Sequence, residues 1–170
     1  CETYMLDLAK ASSVSSGKYY EVSGVGAFMR NKTASSSISL SSGSCEGNGQ
    51  SLTKNFTTGS NLFAFRTDKK ITGFKIYGQG TGSNRTLSKV EVGSTTSNYA
   101  TNSATTEDKF ESSSNCDSMH IVLQDEIVAG SYVAVTFSGN VKVYAILLEY
   151  CPKCTDPKLV WETEPDGGIV

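Results

Sequence analysis

Residues 71–93, ITGFKIYGQGTGSNRTLSKVEVG, hold two runs of alternating side chains on either side of a loop of glycine, serine, asparagine and arginine. A period of two over that length is what a half-buried strand requires, and it places Thr72, Phe74 and Ile76 on one face with Ile71, Gly73, Lys75 and Tyr77 on the other. A mixed face of Lys and Tyr suits either an exposed binding surface or an ordinary solvated sheet face. The spacing of Gly78, Gly80 and Gly82 has the look of a phosphate-cradling loop. That fingerprint must open a helix within a βαβ unit, and here a strand pattern follows at residues 88–92. The stretch constrains the chain to strands joined by wide, glycine-rich turns.

The same alternation recurs along the chain. Tyr4, Leu6 and Leu8 line one side of an opening edge strand, and Ile38 and Leu40 mark a short strand in a Ser- and Thr-rich region. Glu46-Gly47-Asn48-Gly49 is a turn signal, and Ser138-Gly139-Asn140 reads as a hairpin turn into residues 141–150. Both faces of that last run are apolar, as in a central strand covered on two sides. Between residues 93 and 115 only Tyr99 and Phe110 are large anchors, so this long loop either joins a ligand site or wraps the fold. The fold class expected is all-β, an antiparallel β-sandwich.

At 170 residues the chain suffices for one stable core without a metal. Residues 1–151 are read as the sandwich module and 152–170 as a linker and the start of a following module. The three prolines of the chain, Pro152, Pro157 and Pro165, fall in that tail, and Trp161 is assigned to the core of the next module. With 15 basic and 17 acidic residues dispersed to a net charge of −2, nucleic acid is not an expected partner. No apolar run approaches the ~20 residues of a membrane-spanning helix, so membrane insertion is not expected either. The first residues lack the basic-then-apolar order of a signal peptide, which suggests an excised or mature piece.

The five cysteines are Cys1, Cys45, Cys116, Cys151 and Cys154, in a Ser- and Thr-rich chain of the kind exported to the cell surface or beyond. Cys151-Pro-Lys-Cys154 lacks both the βαβ context of a redox pair and the second ligand pair of a zinc site. The pairings expected are Cys45 with Cys116, and Cys1 with Cys151 because the ends of a sandwich often lie close, with Cys154 left over.

The order of the 71–93 stretch, then a cysteine before MHIVL, then VAVTFSGNVKVYAILLEYC, resembles β-sandwich modules that recur in large secreted Bacteroidetes proteins, often beside polysaccharide lyases and glycoside hydrolases. The similarity covers about residues 56 to 151, most specifically Ser83-Asn84-Arg85-Thr86-Leu87 and Phe137-Ser138-Gly139-Asn140-Val141. The resemblance implies a jelly-roll-like, carbohydrate-associated module, and it is compatible with a structural calcium. No defined ligand residue transfers with it.

Catalysis finds little support. A hydrolase needs two carboxylates set across a cleft, and Glu107, Asp108, Asp125 and Glu126 read as solvated neighbours. The single histidine, His120, accompanies no oriented nucleophile and reads as structural. A lyase using calcium would need a cluster of acidic ligands that does not appear. Binding needs less: aromatic faces for stacking and a few planar polar groups for hydroxyls. Tyr19, Tyr20, Tyr77, Tyr99 and Tyr144, with Lys75, Asn84, Arg85 and Asn140, supply those types. Of the pair Tyr19 and Tyr20, either both serve as a platform or one faces the core. Arg85 either reaches vicinal hydroxyls or a uronate, or ties its own loop to backbone carbonyls.

The function expected is a non-catalytic carbohydrate-binding module, a monomeric part of a secreted or cell-surface multidomain enzyme, using no cofactor and having polysaccharide and adjacent modules as partners. The alternatives are an adhesin-like spacer that binds no sugar and, more distantly, a small glycoside hydrolase or polysaccharide lyase.

Overall fold

The computed structural model describes residues 1–152; the expected linker, Cys154 and Trp161 lie outside the described residues. In chain order the strands are β1 (Glu2–Asp7), β2 (Ser12–Val14), β3 (Tyr19–Val22), β4 (Gly26–Met29), β5 (Ser41–Gly47), β6 (Gln50–Thr57), β7 (Leu62–Thr67), β8 (Ile71–Gly80), β9 (Leu87–Thr95), β10 (Asn98–Asn102), β11 (Asp117–Ile127), β12 (Tyr132–Phe137) and β13 (Val141–Tyr150). All pairings are antiparallel, and they form two sheets that enclose one main core. The chain is therefore an all-β sandwich.

The six-stranded sheet runs β11-β8-β13-β6-β5, and β1 shares with β6 the second edge of β13. The seven-stranded sheet runs β10-β9-β12-β7-β4-β3-β2. Strand β13 is central and covered on both faces, as its doubly apolar pattern implies. Its neighbour β8 sends Phe74 and Ile76 to the main core, and Ile71, expected on the opposite face, joins them because the register with β11 shifts before Ile127, its partner. Register shifts between Val143 and Ala145, so Tyr144 is an extra residue that bulges out of the ladder.

The main core is aromatic. Phe28, Phe56, Phe63, Phe65, Phe74, Phe110 and Phe137 are essentially fully buried, and neighbouring rings meet edge-on or offset, as between Phe65 and Phe74 at 5.0 Å. Each such ring removed from water stabilises the fold by about 1.5–3 kcal/mol before entropy is counted.

Three local expectations are corrected. The Ser138-Gly139-Asn140 turn is not a hairpin, because β12 and β13 belong to different sheets and the turn carries the chain across the sandwich edge. No strand forms at Ile38 and Leu40; Ile38 enters the core from irregular chain held by its N–H to Gly17 O at 2.8 Å. The 93–115 stretch is not wholly loop, since β10 pairs with β9, and the remainder wraps the fold through isolated bridges between Arg85 and Phe110 and between Thr105 and Val122.

The expected disulfides are both present. Cys1 joins Cys151 with Cα atoms 4.4 Å apart, tying β1 to the end of β13. Cys45 joins Cys116 with Cα atoms 5.3 Å apart. The second bond clasps the tip of the β5–β6 hairpin, which turns at Asn48 and Gly49, both left-handed with φ of 52° and 76°. Such bonds belong to oxidising compartments. The hairpin folds over the outer face of the six-stranded sheet, where Cys45, Leu52, Tyr77, Tyr144, Ala145 and Leu147 form a second small core. Gly47 must lack a side chain here, because a Cβ would meet Leu52 and the Tyr77 ring at 2.8 Å.

Candidate functional site

The residues singled out for sugar binding separate into five places. Tyr77 and Tyr144 are 6% and 3% exposed beneath the β5–β6 hairpin, so neither ring offers a face to a sugar. Burial, reinforced by the Glu149 carboxylate, raises the Tyr77 phenol above its ordinary value. These two are corrected to packing residues. Tyr20 packs against the main core, the core-facing member of its pair.

Asn84, Arg85 and Asn140 meet at the edge of the sandwich. Arg85 donates from Nε to Asn140 O at 3.0 Å and from Nη2 to Thr81 Oγ1 at 3.1 Å. Asn140 Oδ1 accepts from Thr58 Oγ1 at 3.0 Å and from Asn61 N at 2.8 Å. Asn84 is exposed and takes a left-handed turn conformation with φ of 55°. Of the two readings of Arg85, the contacts are those of a side chain that holds its own loop. Lys75 stands apart on the outer face of the six-stranded sheet, in register between His120 and Leu147.

Tyr19 and Tyr99 do come together, on the outer face of the seven-stranded sheet, and Tyr132 joins them. All three pack against a floor of Met29, Ala34, Ala64 and Ala134. Register explains the grouping. Tyr99 and Tyr132 are both partners of Gly93, and Tyr132 on its other side faces Arg66. Small residues at Ala64 and Ala134 leave room for the segment after β4, whose Ala34 packs onto them. That segment is held by Lys32. Its Nζ contacts both Glu91 oxygens at 3.0 Å and lies 5.0 Å from the centre of the Tyr99 ring. Its carbonyl accepts from Tyr99 Oη at 2.7 Å.

Burial first, then the phenols of Tyr132 and Tyr19 and the Glu91 carboxylate, push the Tyr99 pKa up to about 12. Tyr99 is thus an anchored support, whereas Tyr19 and Tyr132 have no such tether among the described residues. Beside Tyr132, Arg66 is gripped by Asp68 at 2.8 Å and Glu21 at 3.2 Å, and these carboxylates raise its already high pKa. The face therefore offers two half-buried aromatic rings between two fixed ion-pair groups. That composition suits a ligand with both apolar C–H faces and hydroxyls.

Tyr132 is the member that sequence reading misses. Its alternation with Val133 and Val135 marks it as outward-facing, but its place beside Tyr99 depends on the pairing of β12 with β9. Also unanticipated is a contact between His120 Nε2 and Glu149 Oε1 at 2.6 Å on the opposite outer face. No group of three or more His, Cys, Asp or Glu side chains suited to a metal occurs among the described residues.

No protein-family model matches the chain, and no curated protein matches it. Solved structures are similar at low identity. One comes from work on the Ruminococcus flavefaciens cellulosome and its expansion in glycan recognition; it is 11% identical, covers 90% of this chain and 97% of its own, and has a TM-score of 0.43. A GH87 α-1,3-glucanase catalytic domain in complex with nigerose is 8% identical over 92% of this chain, with a TM-score of 0.45. The catalytic unit of a GH87 α-1,3-glucanase from Streptomyces thermodiastaticus strain HF3-3 is 10% identical over 71% of this chain, with a TM-score of 0.40. This chain spans 30% and 26% of those two glucanase chains. At these scores the likeness assigns no function to this chain.

Proposed function

We propose that this chain is a non-catalytic carbohydrate-binding module that holds a plant or microbial polysaccharide on the outer face of its seven-stranded sheet, within a secreted or cell-surface multidomain protein. One observation carries the reading: Tyr19 and Tyr132 converge with Tyr99 on a small-residue floor, flanked by the Lys32–Glu91 and Arg66–Glu21–Asp68 groups. A pyranose face stacks on the tyrosines, and the fixed charged groups receive its hydroxyls. The rings ride on strands rather than loops, so little ordering entropy is lost when a sugar binds. Tethering raises the local concentration of any attached enzyme on its substrate.

The test is affinity electrophoresis on xylan, pectin, β-glucan and mannan. Retardation on at least one of them, abolished in Tyr132→Ala, supports the proposal. Migration unchanged on all four overturns it in favour of a spacer. Release of reducing sugar or unsaturated product by the chain would contradict the non-catalytic part.

A further inference from the structure

The face opposite the tyrosines carries a second arrangement of the same chemical kind, built on Gly73 of the opening stretch. Gly73 lies in β8 with Val122 of β11 as its partner on one side and Glu149 of β13 on the other. Having no side chain, it leaves a trough across the strand into which the Glu149 carboxylate leans, with Oε1 3.7 Å from where a Cβ would stand, while Ile121 O approaches that position to 2.8 Å. His120, two residues before Val122 on β11 and in register with Lys75, reaches over that trough to Glu149, with Nε2 and Oε1 2.6 Å apart. The His120 backbone N–H is itself fixed by Asp108 Oδ2 at 2.8 Å.

The trough opens into a cleft of about 600 Å³ walled by Gly73, His120, Val122, Gln124, Glu149 and Tyr150. That is a volume in the range of small-ligand sites. The side chains differ sharply in exposure: Glu149 is 16% exposed and His120 43%, while Val122 is 49% exposed, an apolar residue left open to water. Among the described residues Glu149 Oε2 and His120 Nδ1 have no hydrogen-bond partner. A carboxylate and an imidazole locked to each other thus keep one acceptor and one ring nitrogen for a ligand, beside an apolar shelf. Each hydroxyl of a sugar both donates and accepts, which suits such a pair. Asp125 and Glu126 also line the cleft with Glu149; Lys70 pairs with Glu126 at 3.6 Å and Lys75 stands in register with His120, so three carboxylates face two lysines and one negative charge is left over. That field repels an acidic sugar.

We propose that this cleft is a second glycan site, selective for a neutral pyranose over a uronate, with the His120–Glu149 pair holding two neighbouring hydroxyls and Val122 meeting the C–H face. The inference rests on the reading of the chain as a carbohydrate-binding module. Because the cleft and the tyrosines lie on opposite outer faces of the sandwich, one module holds two glycan segments at once and bridges them.

The test is a backbone amide NMR titration of the ¹⁵N-labelled chain with xylohexaose, cellohexaose and mannohexaose, and in parallel with hexagalacturonate. The expected result is saturable movement of the Gly73, His120, Val122 and Gln124 amides with a neutral oligosaccharide and none with hexagalacturonate. His120→Ala and Glu149→Gln weaken that response about tenfold or more, the loss of one bond to a charged group. Val122→Trp fills the trough from an exposed position, keeps the fold and removes the response. Movement of Ala64 and Ala134, on the other sheet, reports the tyrosine face independently. If these move while the cleft amides stay silent, the second site is overturned and the first reading stands. If the cleft amides move alone, the second site stands and the tyrosine reading fails. Silence at both overturns both, and a cleft response that survives His120→Ala and Glu149→Gln unchanged overturns the role given to the pair.

Discussion

Replacing Arg85 with alanine separates a side chain that holds its own loop from one that reaches a sugar. The guanidinium donates to Asn140 O at 3.0 Å and Thr81 Oγ1 at 3.1 Å; a third approach, to Ser83 O, is 3.4 Å. Bonds from a charged donor to partly solvated acceptors contribute about 1–1.5 kcal/mol each, and the third is too long to count, so Arg85→Ala costs about 2–3 kcal/mol. For a domain of this size that lowers Tm by roughly 4–12 °C. The guanidinium also lies against Gly139, where a Cβ would come within 2.6 Å of Nε. Gly139→Ala therefore disturbs the same contacts, and the double variant should be less destabilised than the two single effects added. Urea unfolding gives the stability change, and affinity electrophoresis gives the binding. The expectation is a lower midpoint with unchanged retardation on the polysaccharide that holds the wild type. An unchanged midpoint with lost retardation would refute the reasoning and make Arg85 a ligand contact.

Removing the Cys45–Cys116 bond as Cys45→Ser with Cys116→Ser opens a loop with a sequence separation of 71 residues. Chain entropy puts the loss at about 4 kcal/mol, measurable by urea unfolding against the wild type. Tyr144→Ala empties the second core and costs about 3–5 kcal/mol, whereas Tyr132→Ala, half-buried on an open face, costs about 1–2 kcal/mol, so their unfolding midpoints should separate clearly. The Tyr99 pKa of about 12 lies above the ordinary value of 10.0, so its contribution is complete below the unfolded pKa and is lost as pH rises through the folded one. Stability should fall as pH rises from 10 towards 12, and the late-titrating part of the phenol absorbance, to which the raised Tyr77 also contributes, should shrink in Tyr99→Phe.

Period-two alternation makes β12, β13 and all of β8 but Ile71 legible because each buries a face against a continuous core, and the Cys1–Cys151 pair follows from the closeness of sandwich ends. Sheet membership is less legible. The turn at residues 138–140 looks the same whether it returns to its own sheet or crosses to the other. Alternation also names two faces of β8 without saying what lies on them. Tyr77 is covered by a hairpin from residues 41–57, a contact that local pattern does not encode. His120 reads as structural because its partner Glu149 lies on the far side of β8, and only the pairing of three strands brings the two together. Tyr132 is hidden from sequence for the same reason.

The central claim is that a glycan stacks on the tyrosines of the seven-stranded sheet. Its most direct test is an aromatic NMR spectrum of the chain with ring-labelled tyrosine, titrated with an oligosaccharide of whichever polysaccharide retards it. The ring signals of Tyr19 and Tyr132 are expected to move while those of Tyr77 and Tyr144, enclosed in the second core, stay still. Saturable binding with Tyr19 and Tyr132 unmoved would contradict it.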